Sequence, residues 1–132
     1  AKVQGDDYTY VYVIKDTLNW YLDYDGNSTE YKYTYVSSYT NEYKDLVLTN
    51  ILNNHPVQPN LKISSTTYFP YTTNGHYVVI KGMTYSSSDG YYTAVINDPH
   101  DDYCDTYYVP VSTILDYTQA HFSGGYLIHV DD

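Results

Sequence analysis

Two short stretches hold residues whose types and placement fit chemistry: GHYVVIKG at residues 75–82 and VINDP at residues 95–99. His76 stands where a polar loop turns into an apolar strand, and Asp98 where a second apolar strand ends. If those strands pair as a hairpin, imidazole and carboxylate come side by side. A carboxylate in that position fixes the tautomer of the ring and stabilises the imidazolium. A histidine so held can draw the proton from a thiol and make it a nucleophile. Each residue alone has a plainer reading. A strand-opening histidine can be a satisfied polar group, and Asp-Pro commonly ends strands. Taken together and in this order, the pair favours the chemical reading.

The elements that must position this pair follow from periodicity. Residues 1–9 read as a loop entering the domain. From about Val11 to Leu22 the apolar residues Ile14, Leu18, Tyr21 and Leu22 recur at helical spacing, and Asp25-Gly26-Asn27 breaks the chain. Residues 30–37 alternate strictly, Tyr31, Tyr33 and Tyr35 against Lys32, Thr34 and Val36, which predicts a strand. Thr40 or Asn41 can cap a second helix whose stripe is Tyr43, Leu46, Val47, Leu48 and Ile51. Residues 57–63 read as a strand in which Pro59 suggests an edge or a bulge. A polar loop is expected over residues 64–75. Strong strands follow over 76–83 and 91–97, joined as a hairpin by the turn-rich YSSSDG. A loop through Cys104, a strand over 107–110, a short helix over 111–118 and a strand over 126–130 complete the chain. The expected fold class is α+β, an antiparallel sheet packed with two or three helices in one domain spanning residues 1–132.

On these residues the chain resembles a known family. GHYVVIKG, the turn, YTAVINDP, then TYYVPVSTI and YLIHV look like the C-terminal half of cysteine-peptidase family 39, the papain-like peptidases related to bacteriocin processing. LTNILNNHPVQPNLKI at residues 48–63 is similar to the helix and strand ahead of the family's histidine loop. AKVQGDD at residues 1–7 resembles the segment after its first helix. The resemblance covers nearly the whole chain. It implies a papain-like fold, peptide-bond hydrolysis through an acyl-enzyme, His76 as general base and Asp98 as its orienter. It also implies a bacterial protein acting outside the cell or at its surface, a peptide or protein substrate, and no metal or organic cofactor.

The chain departs from the family's pattern at the nucleophile. The family's cysteine opens an N-terminal helix, with a glutamine a few residues before it; here no cysteine precedes Cys104, and Gln4 has none after it. The domain is therefore expected to be truncated at its N-terminus: a fragment, a cleaved chain, or a natural non-catalytic relative. The order His76, Asp98, Cys104 also occurs in some viral and ubiquitin-like-specific peptidases. Those need a glutamine shortly before the cysteine and a helix starting at it, and DDYCDTYY offers neither. Cys104 reads as an inert thiol.

The remaining polar candidates are weaker. His55 precedes Pro56 at a helix end, where a cation suits the dipole. His100, Asp101 and Asp102 fit a solvated loop better than a hard-cation site. His121 and His129 lack metal-ligand spacing with any partner. Asn27-Ser28-Thr29 is a glycosylation sequon that matters only in a secretory host.

Composition removes whole classes of function. The chain carries 6 basic against 16 acidic residues, a formal charge of −10. Such a surface repels phosphate backbones and anionic membranes, so neither nucleic acid nor membrane is an expected partner. Tyrosine supplies 21 of the 132 residues. Its spread along the chain and its strand propensity favour a strand-rich fold with biased usage. The competing reading is a tyrosine-rich secreted module that binds polymers or copies of itself, its exposed surface covered by a partner or by the missing N-terminal segment.

Overall fold

A computed structural model describes residues 10–37, 41–88, 90–121 and 125–131. Its elements run α1 (Val11–Tyr24), β1 (Lys32–Tyr35), α2 (Asn41–Leu52), β2 (Gln58–Ile63), β3 (Thr73–Tyr77), β4 (Val79–Ser86), β5 (Tyr91–Asp98), β6 (Asp105–Pro110), α3 (Val111–Gln119) and β7 (Tyr126–His129). This is the α+β class the sequence predicts. The expected cap at Thr40 and the segment around Gln4 lie outside the described residues.

Every strand pair is antiparallel. One sheet has the order β1-β7-β2-β3 and the other β4-β5-β6. The two meet where β3 runs into β4. Only Val78 separates those strands, and its amide donates to the Pro59 carbonyl at 3.4 Å. Val57 and Ile80 exchange backbone hydrogen bonds of 3.1 and 2.7 Å, so the first residues of β4 still touch the β2 segment. One extended segment thus leaves the first sheet and enters the second.

The predicted single strand over 76–83 is therefore two, separated at Val78. Of the edge or bulge that Pro59 suggests, β2 is not an edge, since it lies between β7 and β3, but its ladder with β3 does slip register between Leu61 and Ile63. The proline is tolerated because the β2–β7 ladder ends there, at Pro59↔Leu127. Past it, the Asn60 side-chain oxygen accepts the Tyr126 amide at 2.7 Å, doing the work of a backbone carbonyl.

The core lies between these sheets and α2 and α3. Leu61, Ile63, Ile80, Ile96, Ile114, Leu115 and Leu127 are fully enclosed. Each such side chain contributes about 1.5–3 kcal/mol of transfer free energy, an upper estimate before chain entropy is subtracted. Helix α3 follows β6 without a loop; Pro110, with φ −54°, ends the strand and opens the helix. Its C-terminal end approaches the chain entering β7 so closely that a Cβ on Gly125 would sit 1.6 Å from the Thr118 carbonyl oxygen. Only glycine fits there. Helix α1 is different: Ile14 is its one buried residue. No described helix is long and apolar enough to cross a membrane.

Asn50 on α2 closes the fold. Its side chain is fully buried and its amide is saturated. Nδ2 donates to the carbonyls of Leu46 (2.8 Å) and Asp131 (3.0 Å), while Oδ1 accepts from the amides of Val130 (2.9 Å) and Asp131 (2.8 Å). The chain after β7 is thereby tied to α2. His55 Nδ1 adds a 2.7 Å contact to the Asp131 carboxylate, and this hydrogen bond holds that acid below its ordinary pKa. Asn50→Ala would leave the half-buried amides of Val130 and Asp131 without their acceptor, so urea denaturation followed by circular dichroism should show a loss of about 1–3 kcal/mol at unchanged slope. A loss below about 0.5 kcal/mol, the size typical of surface changes, would mean the tie carries little.

Candidate active site

The β4–β5 ladder ends at Val79↔Asn97. Beyond it the chain before β4 pairs with β2, where His76 lies opposite Leu61. Asp98, the last residue of β5, is left facing the gap. The imidazole and the carboxylate fill that gap together: His76 Nε2 lies 2.7 Å from Asp98 Oδ1. The two residues singled out in the sequence are thus in direct contact, but across the seam between two sheets rather than along one hairpin.

Burial is unequal. The Asp98 side chain is wholly enclosed, whereas that of His76 keeps 21 % of its surface. A buried carboxylate is tolerable only with donors on its lone pairs. Asp98 has three: His76 Nε2 and the His100 amide (3.0 Å) on Oδ1, and the Tyr71 hydroxyl on Oδ2. Accepting at both oxygens, Asp98 requires the His76 proton on Nε2. Nδ1 then bears the lone pair, and no described residue hydrogen-bonds to it. It can accept a proton from a group placed beside it.

Aromatic rings surround the pair. Tyr71 meets His76 edge-on at 5.8 Å, lies 4.4 Å from His100 and stacks on Tyr103 at 5.3 Å. Burial, then the hydrogen bond to Asp98 and the charge of that carboxylate, push the Tyr71 phenol far above its ordinary range. Burial likewise pushes Tyr77 up to about 12, opposed by a hydrogen bond with Asn60.

Tyr71 belongs to the expected polar loop, whose Phe69 and Tyr71 are in fact buried and whose last residues form β3. The signal available was the apolar triplet Phe69-Pro70-Tyr71 inside that loop.

The other candidates lie apart. Cys104 is exposed at the entrance to β6, not at a helix start, and no hydrogen bond joins it to His76 among the described residues. His100 Nδ1 accepts the Asp102 amide at 3.1 Å, and the described residues form no group of three metal-ligating side chains. His129 is buried and structural, with ring nitrogens 2.7 Å from the Asp131 carbonyl and 2.6 Å from the Thr34 hydroxyl. Hollows of about 590 Å³ beside Tyr43 and Leu46 and about 320 Å³ beside Tyr85 and Val111 include neither His76 nor Asp98.

The raised phenols make stability depend on alkali. Above pH 10.0, the ordinary tyrosine value, the unfolded chain releases protons that Tyr71 and Tyr77 retain when folded. The folded state then binds more protons, so stability falls as pH rises above that point. Denaturant midpoints measured between about pH 9 and 11 should drop, and Tyr71→Phe should flatten the drop. An equal slope in wild type and variant would show that Tyr71 ionises freely.

No protein-family model, no curated protein and no solved structure matches this chain.

Proposed function

We propose that this chain is the His/Asp-bearing part of a papain-like thiol peptidase, with a nucleophilic cysteine supplied from outside these 132 residues. The observation that carries the reading is the 2.7 Å contact between His76 Nε2 and the enclosed Asp98 carboxylate, with Nδ1 left open on a partly exposed ring. The family resemblance of the motifs at residues 75–82 and 95–99 supports it from the sequence side.

The chemistry follows from the open nitrogen. A thiol placed beside Nδ1 gives up its proton there, and the thiolate attacks the carbonyl carbon of a peptide. Asp98 stabilises the imidazolium so formed without taking its proton. Nδ1 then delivers that proton to the departing amine as the C–N bond breaks, leaving a thioester. Water attacks the thioester after losing a proton to Nδ1, the acid is released, and the proton returns to the sulfur. General base catalysis of this kind is worth about 10²–10⁴-fold in rate.

A thiol-directed peptidyl electrophile applied to the protein in its native form tests this. Labelling of a cysteine should fall by about 10²–10⁴-fold in His76→Ala, and the 132-residue chain alone should hydrolyse no peptide. Labelling that ignores His76 would overturn the reading.

A second reading rests on a different observation. Trp20 and Tyr24 on α1 are 59 % and 77 % exposed, with Tyr12, Tyr21, Tyr33 and Tyr35 also exposed. That surface suits a non-catalytic module that binds a polymer or further copies of itself. Sedimentation velocity over a hundredfold concentration range decides the self-assembly form of this reading. A rising coefficient that Trp20→Ala abolishes would favour it, and a constant monomer value would sink it.

A further inference from the structure

We propose that Tyr71 is a positioning residue of the His76–Asp98 pair, its hydroxyl locking the carboxylate in the orientation that keeps the His76 proton on Nε2. The inference rests on the reading of that pair given above and extends it to a third residue.

An aspartate carboxylate starts with rotational freedom. The last torsion of an aspartate is broad and roughly two-fold, so hydrogen bonds at one oxygen leave the group able to rotate. In this site both donors other than Tyr71, His76 Nε2 and the His100 amide, converge on Oδ1. Among the described residues, the Tyr71 hydroxyl is the one donor to Oδ2. It is therefore the contact that pins the second oxygen and converts a swivelling acceptor into a fixed one.

Placement of the ring serves the same end. Tyr71 is 8 % exposed and is held by Phe69 (6.0 Å) and Tyr103 (5.3 Å), so its hydroxyl is aimed rather than free to search. Its edge also meets the imidazole it helps to orient, at 82° between planes. The alternative is that a buried tyrosine merely found a partner for its hydroxyl. That role would stabilise the fold and leave the imidazole unaffected, which separates the two.

Nitrogen-15 resonances of the His76 ring, recorded on this chain, read the difference without requiring peptidase activity. In the unaltered protein the neutral ring should be the Nε2–H tautomer with a proton protected from solvent. In Tyr71→Phe that proton should exchange roughly tenfold faster, the factor for loss of one hydrogen bond to a charged group, and the Nδ1–H tautomer should become populated. In Asp98→Asn the lock should already be gone, and adding Tyr71→Phe should change nothing further. If Asp98→Asn releases the ring but Tyr71→Phe leaves tautomer and exchange as in wild type, the role of Tyr71 is overturned and the pair stands. If Asp98→Asn also leaves the ring unchanged, the reading of the pair itself fails. Should Tyr71→Phe not fold, the unaltered chain still decides. A protected downfield hydroxyl proton on Tyr71 that vanishes in Asp98→Asn supports the proposal, and its absence in wild type overturns it.

Discussion

The enclosed carboxylate of Asp98 sets the terms for everything around it. Withdrawing an ion from water costs several kcal/mol even in a relaxed protein interior. That cost is offset only if donors surround the group. The structure supplies them from three separate places: a ring on β3, an amide just past β5, and a phenol in the loop before β3. None of these segments is adjacent in the chain to both of the others. The donors converge only when the two sheets, the loop of residues 64–72 and the turn after Asp98 are all in place.

This requirement explains why the change of partner at Val78 matters. β3 pairs with β2 while β5 stops at Asp98, and the imidazole reaches the carboxylate at the end of that strand. The backbone stays satisfied across the break because Val78 finds the Pro59 carbonyl and Ile80 finds Val57. The partly open ring of His76 at that seam is the feature from which the proposed chemistry derives.

Much of this was legible in the residues, and the parts that were not share a cause. The alternation around Tyr33 and Tyr35 and the hairpin of β4 and β5 are local, and the ends of that hairpin bring His76 near Asp98. Periodicity and turn chemistry report such things directly. The break at Val78 left no mark, because Tyr77-Val78-Val79-Ile80 is a continuous apolar run with no proline in it. Pro59 pointed to an edge or a bulge; β2 slips register at Leu61–Ile63 but is central, since its ladder with β7 stops at the proline. Tyr71 was hidden inside a segment rich in serine and threonine, and its partner stands far along the chain. Asn50 interrupts an otherwise ordinary helical stripe, and only the return of residues 130–131 shows why. Each missed feature is settled by a contact between distant segments, which single-chain patterning does not encode.

The uneven embedding of the helices has a practical corollary. The chain's one tryptophan, Trp20, rides on α1, largely in solvent and stacked on Tyr24 at 5.5 Å. Tryptophan emission excited at the red edge would therefore watch this lightly attached helix and its aromatic neighbour, and would be nearly blind to the interior. An unfolding curve drawn from that light would follow the departure of α1. A curve drawn from backbone ellipticity or amide exchange would follow the sheets, and the two would part company even in a chain whose core melts in a single step.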